Sequence, residues 1–311
     1  MSPDARTPVV VVTGFLGSGK TTLVNRLVSK EPDCLVVVNE FGAVPVDHHL
    51  LETPQERTVA LPNGCLCCHL RGDLEETLIG AAMRRRRGEI PGFDRVVVET
   101  SGLADPGPVA QTLFADQALA RDFKLGPVLA VVDAADPGGR RTGRGIAEAQ
   151  IAAADVVVLS KADRAADFRA VEAEVRALNP AARQVRARHG DVDSEVFRVP
   201  AQDRVFSGEA VHPAGIRSFV LAMRDPVAKD LLERFLAVLV DLRGADLMRV
   251  KGIVAVDDGE FVAVQGVRHV FDRLRRVSAA TATGLVFITR AVEEHEVGAL
   301  WQAMSNLKGK P

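Results

Sequence analysis

The first half of the chain alternates short, β-branched apolar runs with longer mixed segments. The runs are Val9 to Val12, Leu35 to Val38, Val96 to Val98, Val128 to Val132 and Val156 to Leu159. Uninterrupted apolar runs of this length suit strands buried on both faces. The segments between them are long enough for crossover helices, so the pattern predicts an α/β domain with a mostly parallel sheet flanked by helices. Two stretches read as punctuation: Pro137 to Gly145 is a Gly- and Arg-rich loop, and Arg84 to Arg87 closes a helical stretch, where basic residues complement the helix dipole.

From residue 186 to 215 the periodicity fades into a polar stretch, and a different pattern follows. Pro226 to Asp241 reads as a helix with Val227, Leu231 and Phe235 on one face. Val250 to Val256 and Phe261 to Val267 flank Asp258-Gly259 as a hairpin would. Leu285 to Ile288 predicts another strand and Glu294 to Met304 a last helix. The expected organisation is a first domain over 1–190, a linker over 191–212 and a smaller C-terminal α+β domain over 213–311.

Length and composition agree with two globular domains: 311 residues, 47% hydrophobic and 26% charged. A net charge of −2, one Trp and no Tyr argue against nucleic acid as a partner. No window approaches the ~20 apolar residues of a membrane span, and the start, MSPDARTP, carries no basic and apolar leader. A cytoplasmic protein is expected.

Directly after the first apolar run, residues 14 to 21 read GFLGSGKT, which fits G-x-x-x-x-G-K-[ST] in its strand-to-helix context. This predicts a P-loop NTPase domain. Glycines let successive N–H groups turn toward phosphate oxygens, and the following helix adds its dipole. The phosphates of a nucleotide would lie against Gly14, Gly17, Ser18, Gly19, Lys20, Thr21 and Thr22. Lys20 would reach the β- and γ-phosphates and the Thr21 hydroxyl would ligate Mg²⁺. Glu99, closing the run Arg95 to Glu99, is the acidic partner for the Mg²⁺ shell; Gly102, just beyond, could sense the γ-phosphate through its N–H. Ser160, Lys161 and Asp163 follow the run ending at Leu159. A carboxylate at Asp163 could accept from guanine's ring N–H and exocyclic amine, an arrangement adenine lacks.

Four cysteines occur, and Cys65, Cys67 and Cys68 fall within four positions after the turn-forming Pro62-Asn63-Gly64. Such clustering points to metal or redox chemistry, not a disulfide framework. For three thiolates to meet one ion about 2.3 Å from each sulfur, the backbone must curl. A fourth position stays open for Glu40, His48 or water. Disulfide exchange between the neighbouring thiols and inert burial remain alternatives. Cys34 reads as core.

Taken together, these residues resemble the CobW family of P-loop GTPases, relatives of the nickel-insertion GTPases of urease and hydrogenase. The likeness covers nearly the whole chain: GFLGSGKTTL at 14 to 23, NEFG at 39 to 42, the CxCC loop at 65 to 68, ETSGLADPGPV at 99 to 109, SKAD at 160 to 163, then LMRVKGIVAV at 247 to 256 and QGVRHVFD at 265 to 272. The resemblance implies GTP hydrolysis, with Gly19, Lys20, Thr21, Glu99, Lys161 and Asp163 in the roles given above. It also implies metal delivery from the CxCC thiolates to a client metalloprotein, with zinc first and cobalt or iron compatible. The C-terminal domain is the natural docking surface for that client. Two departures stand out: Ser160 replaces the usual Asn of the guanine motif, and Ala43 and Pro45 stand where the family often has an acidic residue and Gly. A scaffold GTPase with a structural zinc and a P-loop kinase are the rival readings.

Overall fold

The computed structural model describes residues 5–38, 58–60, 69–107, 109, 112–113, 119–136, 144–165, 167–198, 210–211, 215–277 and 283–307. The chain divides into two compact units, Met1–Glu172 with Ala182–Pro200 and Ala201–Pro311 with Ala173–Ala181.

The first unit is built on seven parallel strands. They are β1 (Thr7–Gly14), β2 (Cys34–Val38), β3 (Thr58–Ala60), β4 (Arg95–Glu99), β5 (Phe123–Asp133), β6 (Val156–Ser160) and β7 (Arg183–Arg186), in the spatial order β3-β2-β4-β1-β5-β6-β7. Helices α1 (Lys20–Lys30), α2 (His69–Arg86), α3 (Arg144–Ala153) and α4 (Phe168–Leu178) lie between strands in sequence, as parallel pairing requires. All five predicted apolar runs are strands. Their unbroken hydrophobicity has a direct cause in β1: Val10 and Val12 pack with Leu23, Val24 and Leu27 of α1 on one face, and Val9 and Val11 with Leu74 and Leu78 of α2 on the other. Burial of each such side chain is worth roughly 1.5–3 kcal/mol, so neither face can be polar.

In the second unit the strands are antiparallel: β8 (Ala210–Val211), β9 (Ile216–Ala222), β10 (Leu247–Ala255), β11 (Phe261–Val267), β12 (Val270–Phe271), β13 (Arg275–Val277) and β14 (Gly284–Arg290). The sheet order is β12-β11-β10-β14-β9-β8, with β13 paired to β11. Helices α5 (Lys229–Arg243) and α6 (Glu294–Leu307) supply Leu232, Phe235, Leu239 and Val297 to its core. Phe235 meets Trp301 edge-on at 5.1 Å between centroids, and Phe219 stacks on Phe287 at 5.3 Å. The Asp258-Gly259 turn joins β10 to β11 with Gly259 at φ +78°, a left-handed conformation glycine adopts without steric cost.

Two expectations need adjustment. The helix begins at Lys229, not Pro226, because Val227 is extended: its N–H donates to Ala255 and its carbonyl accepts from Asp257. Strand β9 was not expected, yet Ile216, Ser218, Phe219 and Val220 pair with β14. No helix among the described residues is long and apolar enough to cross a membrane.

Candidate functional site

Ligands of open parallel sheets bind beyond the carboxyl ends of the strands, and the first unit gathers its chemistry there. The loop after β1 holds Gly14, Gly17 and Gly19 at φ +146°, +71° and +95°. A Cβ on Gly14 would lie 2.3 Å from the Val131 carbonyl oxygen, so no side chain fits that position. Gly19 is the N-cap of α1; no side chain caps this helix and its first turn carries no acidic residue, which leaves the positive dipole end for an anion. Lys20 is buried, and its Nζ donates to the carbonyls of Gly14 at 3.0 Å and Phe15 at 3.3 Å, across the mouth of the loop. Ser18 is buried and Thr22 exposed on the same turn.

Beside this loop, Glu99 closes β4 as the register partner of Val12. It is 3% exposed, and its Oε1 accepts a 2.7 Å hydrogen bond from the Thr21 hydroxyl. A hydroxyl and a carboxylate brought together beside a phosphate-binding loop form the hard oxygen set that Mg²⁺ takes. Thr21 would hold that ion directly and Glu99 through its water shell.

The loop after β4 is pressed against the phosphate-binding loop. A Cβ on Gly102 would sit 2.7 Å from the Leu16 nitrogen and 2.6 Å from its Cδ2. Thr100 N–H donates to Val12 at 2.9 Å, holding the start of this loop to β1. On its other side Gln150 of α3, which the sequence reading did not single out, donates from Nε2 to the carbonyls of Gly102 at 3.3 Å and Ala104 at 3.0 Å.

The residues expected to meet the base divide by direction. Ser160, at the end of β6, is buried, and its hydroxyl donates to the Ser18 carbonyl at 2.6 Å, with the Val132 carbonyl at 3.2 Å. It tethers the phosphate-binding loop to the sheet. Lys161, in a left-handed conformation at φ +52°, donates to the Gly17 carbonyl at 2.9 Å and pairs with Asp133 at 2.5 Å. Asp163 is exposed just beyond. Asp133 was also missed by sequence reasoning, although it closes β5 as Glu99 closes β4 and pairs in register with Ser160. The turn after β7 completes this side: Ala162 N–H donates to Ala187, and a Cβ on Gly190 would lie 2.7 Å from the Thr22 carbonyl.

Glu40, His48, Cys65, Cys67 and Cys68 lie outside the described residues. Among the described residues there is no group of three or more His, Cys, Asp or Glu side chains that could hold a metal ion. Cys34 is fully buried in the core, as expected. The arginine run is absorbed by local structure. Arg85 lies over the Phe93 ring at 4.6 Å and donates to Thr7 and Phe93, Arg86 pairs with Asp122, and Arg87 with Glu89.

Comparison with known proteins adds to this geometry. A family model described as the CobW/HypB/UreG nucleotide-binding domain matches residues 8–186, and one for the C-terminal domain of the cobalamin synthesis protein CobW matches residues 216–305. The zinc chaperone YjiA of Escherichia coli is 31% identical over 98% of this chain and 99% of its own length. The zinc chaperone CobW of Pseudomonas aeruginosa is 31% identical over 94% of this chain and 90% of its own. The zinc-regulated GTPase metalloprotein activator 1 of Schizosaccharomyces pombe is 27% identical over 85% and 76%. The crystal structure of Zn(II)-bound YjiA GTPase from Escherichia coli superposes with a TM-score of 0.69 at 26% identity, covering 96% of this chain and 99% of that one.

Proposed function

This chain belongs to the CobW/HypB/UreG family of nucleotide-binding proteins and is a GTPase; we propose that it carries a transition-metal ion, zinc first, on the thiolates of Cys65, Cys67 and Cys68 and passes it to a client metalloprotein in a nucleotide-dependent way. Cobalt and iron suit the same thiolates, and Glu40 is the fourth ligand we assign. Zinc is also what the names of the relatives in Escherichia coli and Pseudomonas aeruginosa specify for those proteins.

One observation carries the coupling. Val12, Glu99, Val38 and Ala60 are register partners on successive strands, so they form one rung across the carboxyl end of the sheet. With strands about 4.8 Å apart, the chain leaves β2 toward Glu40 about 5 Å from the Glu99 backbone, and leaves β3 toward the cysteines about 10 Å from it. Residues 61–68 join that point to α2. Both segments carrying the thiolates and Glu40 are therefore anchored on the rung that holds the Mg²⁺-binding carboxylate.

In this reading Gly14, Gly17, Ser18, Gly19, Lys20, Thr21 and Thr22 cradle the phosphates, and Lys20 turns its ammonium from the loop carbonyls to the β- and γ-oxygens. Bound Mg²⁺ neutralises phosphate charge. Gly102 offers its N–H to the γ-phosphate, and Asp163 accepts from the guanine edge while Ser160 and Lys161 hold the phosphate-binding loop in place. Intrinsic turnover is slow in this reading, because among the described residues no arginine is placed to complete the site. The second unit is the surface we assign to the client, and the cytoplasm, where thiols stay reduced, is the compartment.

A zinc titration against a chromophoric chelator tests this, on wild type and Cys67→Ser, each with GTP and Mg²⁺, GDP and Mg²⁺, or no nucleotide. Cysteine-dependent binding that shifts with nucleotide is expected, and zinc must then shift nucleotide affinity by the same factor. Binding indifferent to nucleotide would reduce the loop to a structural zinc site, and no binding would leave thiol redox chemistry.

A further inference from the structure

Gln150 is 1% exposed on α3 and spends both amide hydrogens on one loop, donating to the carbonyls of Gly102 and Ala104. Carbonyls accept only from the NH₂ end, so these two bonds also set which way the amide faces. Its Oε1 is then buried with no hydrogen-bond partner among the described residues. An orphaned acceptor costs stability, and the two bonds donated to Gly102 and Ala104 are what the carboxamide gains in exchange. The carboxamide is therefore held here for the loop it grips.

Its position says what. Gly102 is confined on one face by Leu16 of the phosphate-binding loop, where even a Cβ would collide with backbone. Gln150 grips the carbonyl of the same residue from α3. The Gly102 N–H shares its peptide plane with the Ser101 carbonyl, which accepts from the Ala104 N–H at 3.1 Å, so Gln150, holding Gly102 and Ala104 by their own carbonyls, braces both ends of the turn that sets the N–H direction. Beyond the grip, Asp105 Oδ1 accepts from Gly107 N–H at 2.8 Å, so the next turn is closed on itself.

We propose that Gln150 is a positioning residue for the γ-phosphate: by clamping the Gly102 and Ala104 carbonyls it holds the Gly102 N–H in the orientation that distinguishes GTP from GDP. It acts through Gly102 and does not touch the nucleotide. The inference rests on the GTPase site and not on the cysteine loop, so it stands or falls independently of metal delivery.

The test uses the full-length protein as Gln150→Met, which keeps shape without donors, and Gln150→Glu, which sets a carboxylate against the two carbonyls. Equilibrium affinities for GDP and for a non-hydrolysable GTP analogue, both with Mg²⁺, are measured beside steady-state kcat and the melting temperature of the GDP complex. The expected result is GDP affinity within about twofold of wild type, analogue affinity weaker by roughly fivefold to tenfold, and lower kcat. Equal weakening for both nucleotides, with a lower melting temperature, would mean that Gln150 merely packs the fold and overturn the proposal. Unchanged discrimination between the two nucleotides in a stably folded Gln150→Met would overturn it too.

Discussion

The hydroxyl of Ser160 donates a 2.6 Å hydrogen bond to the backbone carbonyl of Ser18 and thereby ties the end of β6 to the phosphate-binding loop. In sequence, serine in place of the usual asparagine looks like a lost contact to guanine. In the fold the side chain points inward, where it acts on the loop that holds the phosphates.

Ser160→Ala is therefore expected to weaken GTP and GDP alike, by about 1 kcal/mol or roughly fivefold, the worth of one neutral hydrogen bond. The ratio of GTP to ITP affinity, which reports the exocyclic amine, stays at its wild-type value. Competition binding with the two nucleotides checks both, and a changed ratio would return Ser160 to the base.

Asp163 is exposed, as the proposed contact with a base edge requires. Asp163→Asn replaces an acceptor of two N–H groups by a side chain that can also donate, as xanthine's additional carbonyl requires. GTP affinity should fall by an order of magnitude or more while XTP affinity rises. Hydrolysis measured with both triphosphates reads the exchange, and equal activity on GTP in mutant and wild type would remove Asp163 from the site.

Thr21 Oγ1 and Glu99 Oε1 are 2.7 Å apart. Thr21→Ala should raise the Mg²⁺ concentration for half-maximal GTPase activity at least tenfold, matching the ~1.5–3 kcal/mol of an interaction with a charged group. GDP binding in EDTA should be little changed. A Mg²⁺ titration of initial rates, which chelation alone abolishes in wild type, shows whether the hydroxyl is a ligand.

In the second unit, Glu296 accepts from the Glu293 N–H at 2.9 Å and pairs with Arg243, reproducing a capping box at the start of α6. These two contacts, the backbone bond first, hold its carboxyl below the ordinary value of 4.5. A carboxyl lowered in the folded state stabilises the fold above its unfolded value, and that stability is lost as pH falls through the folded value. Glu296→Gln should cost about 1 kcal/mol or less at pH 7, because the pair is partly exposed. The difference in melting temperature should close as pH falls below 4.5 and through the lowered folded value. A gap independent of pH would refute the ionic contribution.

Five of the seven strands of the first sheet were legible because burial on both faces leaves no polar position, as Val9 to Val12 illustrate, whereas the edge strands β3 and β7 were not, β7 being Arg183-Gln184-Val185-Arg186 with no buried residue. Strand β9 was not legible: Arg217 and Ser218 interrupt its apolar pattern, and its pairing with β14 joins residues far apart in the chain. Val227 fits a helical period from Pro226 onward, yet a bridge to Val256 holds it extended. Local spacing carries no trace of such a partner.

The sequence alone determined the chemistry of the phosphate site. Glycines at 14, 17 and 19 are dictated by left-handed backbone conformations, and the lysine and threonine follow them at the spacing of a phosphate-binding loop, so spacing suffices to read them. It also determined that three cysteines fall within four positions of the segment between β3 and α2. Only the tertiary structure decided which side chains serve the loop and which face outward: Ser160 inward on Ser18, Lys161 across Gly17 to Asp133, and Gln150 onto Gly102. Those relationships depend on strand register and on a helix packed against the sheet, and they connect residues 28 to 144 positions apart through directions that sequence distance does not encode.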